Sequence, residues 1–232
     1  MTGLLALVIG TALAGPTTFL PSAHPIDSDS FELQAGIIAV VVPFERYGVG
    51  GVQISGEWAI GDRVVLSGAA PVLTLVDLDE TKPGFGTLPR LGVRYDVLNN
   101  AHFTLSPWVW TAGFTTTTIA GGYHNGLMGM AGLAFDTGGR VVRFDLSTSA
   151  IGYSFSPADK SKGLLLIGLP ALAFTEMGVR WKMATKHWMR FGFTSVVPTL
   201  SYRYDGELWT TEVRVGSAWL VNLLGVNVGR KF

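Results

Sequence analysis

The chain has 232 residues, with 17 Lys plus Arg against 17 Asp plus Glu and no cysteine. Balanced charge excludes a basic field for holding nucleic acid, and the lack of cysteine excludes disulfides, zinc-thiolate sites and an acylated cysteine. Charged residues are only 15% of the chain beside 30 glycines, 13 phenylalanines and 7 tryptophans, too few for the surface of a soluble fold of this size but not for a fold that faces lipid.

Gly3 to Ala14 is an apolar run too short to span a bilayer as a helix, and Ala12-Leu13-Ala14 has the small-x-small pattern of a signal-peptidase site. Residues 1–14 are therefore expected to be a signal peptide. Residues 15–32, with Pro16, Pro21 and Pro25 among Ser and Asp, read as an extended periplasmic lead-in. No linker interrupts 33–232, which reads as one domain.

Beyond the lead-in the pattern has a period of two. A first strand with Ile38, Val40 and Val42 ends near Arg46, and Tyr47-Gly48-Val49-Gly50-Gly51 reads as a turn. Val52, Ile54, Trp58 and Ile60 alternate with Gln53, Ser55, Glu57 and Ala59; Gly61-Asp62-Arg63 then turns the chain into a strand with Val64, Leu66 and Val72 on one face. Leu75 to Thr87 reads as a solvated loop. Leu91, Val93, Tyr95 and Val97 then alternate with Arg90, Gly92, Arg94 and Asp96, Asn99-Asn100 turns the chain, and Phe103, Leu105 and Val109 alternate with His102, Thr104 and Trp108.

Gly113 to Asn125 reads as a loop, and Asp136-Thr137-Gly138-Gly139 as a short turn after the strand through Leu133 and Phe135. Val142, Phe144 and Leu146 alternate with Arg143, Asp145 and Ser147 ahead of a loop from Tyr153 to Lys162. Leu164 to Phe174 is continuously apolar, and its place stays open between a strand, a continuation and a folded-back loop. Met177, Val179, Trp181 and Met183 alternate with Glu176, Gly178, Arg180 and Lys182, and Asp205-Gly206 is a strong hairpin signal. Trp209, Val213 and Val215 alternate with Thr210, Glu212 and Arg214. The expected fold is all-β, an antiparallel up-and-down transmembrane β-barrel of about ten strands, with eight to twelve possible.

The aromatic-bearing hairpins, such as residues 56–63, together with the signal-like start and the final Phe, resemble the Gram-negative outer-membrane β-barrel proteins over about residues 33–232. The resemblance implies an outer-membrane location, contact with membrane lipid and lipopolysaccharide, and recognition of Phe232, Val228, Val226 and Leu224 by the barrel-assembly machinery. Arg230 departs from that pattern.

The residues expected to face the lumen are Glu57, Arg90, Arg94, Asp96, Arg143, Asp145, Glu176, Arg180, Lys182, Arg190, Glu212 and Arg214. Acids and bases are interleaved and are expected to pair in an interior little wider than its side chains, with two extra bases biasing any path toward anions. The tryptophans, Trp58, Trp108, Trp110, Trp181, Trp188, Trp209 and Trp219, lie toward strand ends and read mostly as interfacial girdle residues.

The outer-membrane lipid hydrolases place a Ser two residues after a His on a strand, and none of His24, His102, His124 and His187 has one there. His102 and Ser106 share a face but stand about 13 Å apart by strand rise, which leaves only an across-strand triad of His102 or His124 with Asp96. Asp77-Leu78-Asp79-Glu80 reads as a solvated charge cluster in preference to a calcium loop. No metal or cofactor motif is present. The function read from the sequence is a structural or narrow small-solute channel barrel. The alternatives are a lipid-modifying barrel enzyme and, third, a secreted barrel holding a hydrophobic ligand, apolar inside and charged outside.

Overall fold

A strand points successive side chains to opposite sides, so a strand that buries every second residue and exposes the others separates two environments. The computed structural model describes residues 28–42, 47–77, 84–117, 123–155, 164–167, 175–194, 197–218 and 221–232. These form β1 (Phe31–Val42), β2 (Tyr47–Ile60), β3 (Val64–Asp77), β4 (Gly84–Thr87), β5 (Arg90–Tyr95), β6 (Leu98–Asn99), β7 (Phe103–Thr117) and β8 (Tyr123–Gly138). They continue with β9 (Val142–Phe155), β10 (Leu164–Ile167), β11 (Thr175–Ala184), β12 (His187–Thr194), β13 (Val197–Asp205), β14 (Trp209–Ala218) and β15 (Val221–Lys231).

All pairings are antiparallel, and β15 returns to pair with β1 from Glu32 opposite Lys231 to Val41 opposite Asn222, which closes the sheet. β4, β5 and β6 together fill one position between β3 and β7, and β10 and β11 share one beside β9. The barrel thus has twelve staves, the upper end of the expected range. Residues 197–232 alone supply three of them, β13 to β15. Most staves meet or exceed the roughly 9–11 residues that cross a bilayer, and β7 to β9 run to 14–16 residues.

The outward residues are apolar: Leu91 is 71% exposed and Ile54 60%, and Val93, Tyr95 and Val97 share their side. The inward residues are polar over most of the circumference, with Thr104, Ser106 and Asp136 fully buried. This polarity is the reverse of that expected for a secreted barrel with an apolar interior and a charged shell. Near the short turns the outward face carries Phe31, Trp58, Tyr95, Tyr202, Trp209 and Phe232, a girdle suited to the headgroup layer. Arg230 belongs to it, its guanidinium lying 5.5 Å from the Trp209 ring and 5.0 Å from the Phe232 ring.

Several segments read as turns or loops are strand. Tyr47 to Gly51 opens β2, where the absence of a Cβ at Gly51 lets Leu73 of β3 pack closely against it. β3 runs on to Asp77, β4 occupies Gly84–Thr87, β7 continues to Thr117, β8 starts at Tyr123, and β9 extends to Phe155. Asp136 and Gly138 are in β8, so the turn there is confined to 139–141. β1 begins at Phe31, inside the expected lead-in. Residues 1–27, the Leu78–Glu80 part of the acidic cluster, and 168–174 lie outside the described residues.

Closure of the ring sets a specific test. With Ala35 opposite Val228 and no native cysteine, the variant Ala35→Cys/Val228→Cys will form an oxidised cross-link between β1 and β15. After a single proteolytic nick in a loop, non-reducing electrophoresis should show one species and reducing electrophoresis two fragments.

Candidate functional site

The register places like charges opposite one another across the strands. Arg180 faces Arg143 on one side and Arg190 on the other, Asp145 faces Asp136, and Glu32 faces Glu57. Directly opposed like charges are unfavourable, and the interior resolves this diagonally. Asp136 takes Arg143 and Arg180; Arg180 also reaches Asp145 at 3.2 Å; Arg190 bridges Asp145 at 2.6 Å and Glu176 at 3.1 Å. Arg214 joins Glu176 at 3.1 Å to Glu212 at 3.2 Å, and Arg203 joins Glu212 at 3.9 Å to Glu32 at 3.6 Å. Five carboxylates and five guanidiniums thus alternate in one chain, running around the lumen from β8 to β1.

This chain depends on a glycine. The Arg190 arm leaves β12 and crosses β11 to reach Asp145 on β9, and the residue it passes over is Gly178, where a Cβ would stand 2.8 Å from Arg190 Cζ. Polar neighbours complete the ends: Glu32 accepts hydrogen bonds from Gln34 at 2.8 Å and Thr210 at 2.6 Å, Asn227 donates to Gln34, and Lys231 meets Asp205 at 2.6 Å. On the far wall Arg94 pairs with Asp96 at 3.0 Å, and Ser106 donates to the same carboxylate at 2.6 Å. Glu57 interacts electrostatically with Arg94, Arg203 and Arg90, linking that wall to the chain. Lys182 lies 5.6 Å from the Trp188 ring near the turn.

Of the residues picked from the sequence, Arg94, Asp96, Arg143, Asp145, Glu176, Arg180, Arg190, Glu212 and Arg214 are ion-paired inside the barrel, while Glu57, Arg90 and Lys182 have the contacts just given. The sequence reading missed Glu32, Asp136, Arg203, Asp205 and Lys231. With these included, the interior set among the described residues has eight acids and nine bases, and within it the expected anion bias shrinks to one charge. Residue parity was the available signal, since Asp136 is two positions from the inward Ala134.

The tryptophan reading is corrected in part. Trp58 and Trp209 are outward and exposed, but Trp108 and Trp110 are only 3% and 2% exposed and form an interior cluster with Leu88, Ala112, Met130 and Ala134. They share the inward parity of Thr104 and Ser106, which decides their side whatever their distance from the strand end.

His102 does not assemble an across-strand triad with Asp96. Asp96 is engaged by Arg94 and Ser106, whereas exposed His102 lies in the turn with Nδ1 3.4 Å from the Gly138 carbonyl. The His124 side chain and His24 lie outside the described residues. Outside the membrane span, Lys186 and Glu207 join two turns at 2.9 Å, and their hydrogen bond holds the Glu207 carboxyl below and the Lys186 amine above their ordinary values.

No protein-family model matches the sequence, and no curated protein matches it. In structure the chain is similar to the β domain of the Bordetella autotransporter BrkA, with a TM-score of 0.54 at 11% identity over 88% of this chain and 99% of that one. It is similar to the transport unit of the autotransporter AIDA-I from Escherichia coli, with a TM-score of 0.51 at 10% identity over 98% and 96%. It is also similar to the KdgM porin solved with disordered oligogalacturonate, with a TM-score of 0.49 at 12% identity over 88% and 99%. The fold is that of the outer-membrane β-barrel proteins.

Two substitutions test the interior chain in urea unfolding of the refolded barrel. Asp136→Ala leaves Arg143 without its acid and Arg180 with Asp145 alone, and will lower stability by about 3–5 kcal/mol. Gly178→Val pushes Arg190 away from Asp145 and will cost about 1–3 kcal/mol by overpacking.

Proposed function

We propose that this chain is an integral outer-membrane barrel that passes small solutes along a narrow path beside a fixed, charge-compensated interior wall. The observation that carries this reading is the ten-membered alternating chain of interior charges inside an apolar-shelled barrel. Twelve staves enclose more width than the eight whose interior side chains alone can fill. Paired charges hold their arms against one wall, so a hydrated solute meets a polar lining without a net field. The aliphatic outer face and its aromatic girdle suit contact with membrane lipid and lipopolysaccharide. The outward alternation of Leu224, Val226 and Val228 on β15 supports handling by the barrel-assembly machinery. The apolar run to Ala14 with Ala12-Leu13-Ala14 supports export by a cleaved signal.

Planar-bilayer recording in a KCl gradient tests the channel. The expected result is a small conductance with K⁺ to Cl⁻ selectivity near one, shifting toward Cl⁻ in Asp136→Asn/Asp145→Asn, which removes two interior acids and raises the excess of bases from one to three. Absence of conductance in both proteins, each shown folded by its heat-dependent electrophoretic mobility, would leave a purely structural barrel and overturn the channel.

A further inference from the structure

Among the described residues the interior chain satisfies most of its own hydrogen-bonding groups, Arg143 Nη2, Arg203 Nε and Arg214 Nε excepted, and a band of polar atoms beside it has no partner. Glu176 gives Oε1 to both Arg190 and Arg214, each at 3.1 Å, while its Oε2 is buried and unpartnered. Ser147 lies opposite Glu176 on one side and Thr194 on the other, and the hydroxyls of both are also buried and unpartnered. Thr199, two residues beyond the partner of Thr194, continues the band across β13 with a fourth such oxygen. These four residues are 2–7% exposed and share the inward side of adjacent staves. With neighbouring strands about 4.8 Å apart, the band from β9 to β13 spans about 14 Å.

Unpartnered buried polar groups are costly, and a native interior leaves few of them. A donor stands one inward position beyond Ser147, at the level of Ser149. Trp108 packs over Gly132, where a Cβ would lie 2.6 Å from the indole and 2.8 Å from the Ser149 Cα, and its Nε1 has no partner. The band therefore offers one pure acceptor in Glu176, pure donors in Trp108 and in the unpartnered Nε of Arg214 beside Glu176, and three hydroxyls that serve as either. A ligand that satisfies it must both donate and accept at several points.

Charge narrows the class further. The adjoining chain has equal numbers of carboxylates and guanidiniums, and both guanidiniums nearest Glu176 already hold its other oxygen. A cation placed at Oε2 would face Arg190 and Arg214, and an anion would face the carboxylate itself. Hydroxyl groups on a neutral molecule meet neither penalty. We propose that Trp108, Ser147, Glu176, Thr194 and Thr199 form a lumenal subsite for a neutral polyhydroxylated solute, a polyol or uncharged sugar.

This subsite gives the channel a solute class and rests on that reading, but binding is measured without conduction. Saturation-transfer NMR with methyl glucoside on the detergent-refolded barrel should show transfer for the wild type. Thr194→Val/Thr199→Val, which keeps side-chain shape and removes two hydroxyls, should weaken binding about tenfold. Heat-dependent mobility reports whether the variant is folded; if it is not, Trp108→Phe, which keeps an aromatic ring but removes the donor with part of the indole, should reduce binding in its place. No transfer to the wild type, equal transfer to the folded variant, or stronger transfer to glucuronate than to methyl glucoside overturns the subsite. KCl conductance from the same preparation separates the two ideas: conductance without sugar binding removes only the subsite, and sugar binding without conductance removes only the channel.

Discussion

The interior of this barrel is governed by the requirement that a charge taken away from water be compensated. Asp136, Asp145, Glu176, Glu212 and Glu32 each meet a guanidinium, and Arg180, Arg190, Arg214 and Arg203 each meet two of these acids. The compensation is not supplied by facing residues, because the register opposes Arg143, Arg180 and Arg190 as a row of bases. It is supplied by length: an arginine reaches diagonally to the next row, and across a whole stave where Gly178 clears the way. Backbone register, the glycine and the choice of arginine are therefore one solution to one problem.

Width explains why charge is used here at all. Burying an ion pair gains little over burying aliphatic groups of similar volume, so the chain is poor evidence for extra stability. Aliphatic side chains, however, are too short to reach from one stave past the next, whereas arginines and indoles extend across a neighbouring stave along the wall. The two halves of the lumen divide that task, with arginines from β9 to β14 and the Trp108 and Trp110 cluster on the β7 wall. Sites where side chains cross inner glycines, such as Gly178 beneath Arg190 and Gly132 beneath Trp108, let these long groups lie flat along the wall.

Much of this was legible in the sequence wherever one face of a strand is greasy and the other is not. Leu91, Val93, Tyr95 and Val97 announce their side, and Arg94 and Asp96 follow by parity. Legibility fails where turn chemistry or mixed polarity hides the period. Asp205 stands beside Gly206 and Asp136 two residues before Gly138, so both read as turn residues, and Glu32 borders a segment rich in Pro and Asp. Arg203 lies between Tyr202 and Tyr204, where tyrosines on the lipid side give no aliphatic contrast. Which arginine meets which acid was out of reach, because diagonal pairing over Gly178 depends on the register between strands far apart in sequence.

The outer face follows the same physics with the solvent changed. In lipid an exposed leucine is at home and a lone arginine is costly, yet Arg230 faces outward on the last stave. Its guanidinium lies between the Trp209 and Phe232 rings, at the turn end where the sheet meets headgroups. There the aromatic faces attract the cation and its charged tip can remain in the polar layer. A residue that breaks the apolar alternation of β15 in sequence thus satisfies the girdle in space. Position along the membrane normal, which alternation alone does not encode, decides whether an outward charge is a defect or an anchor.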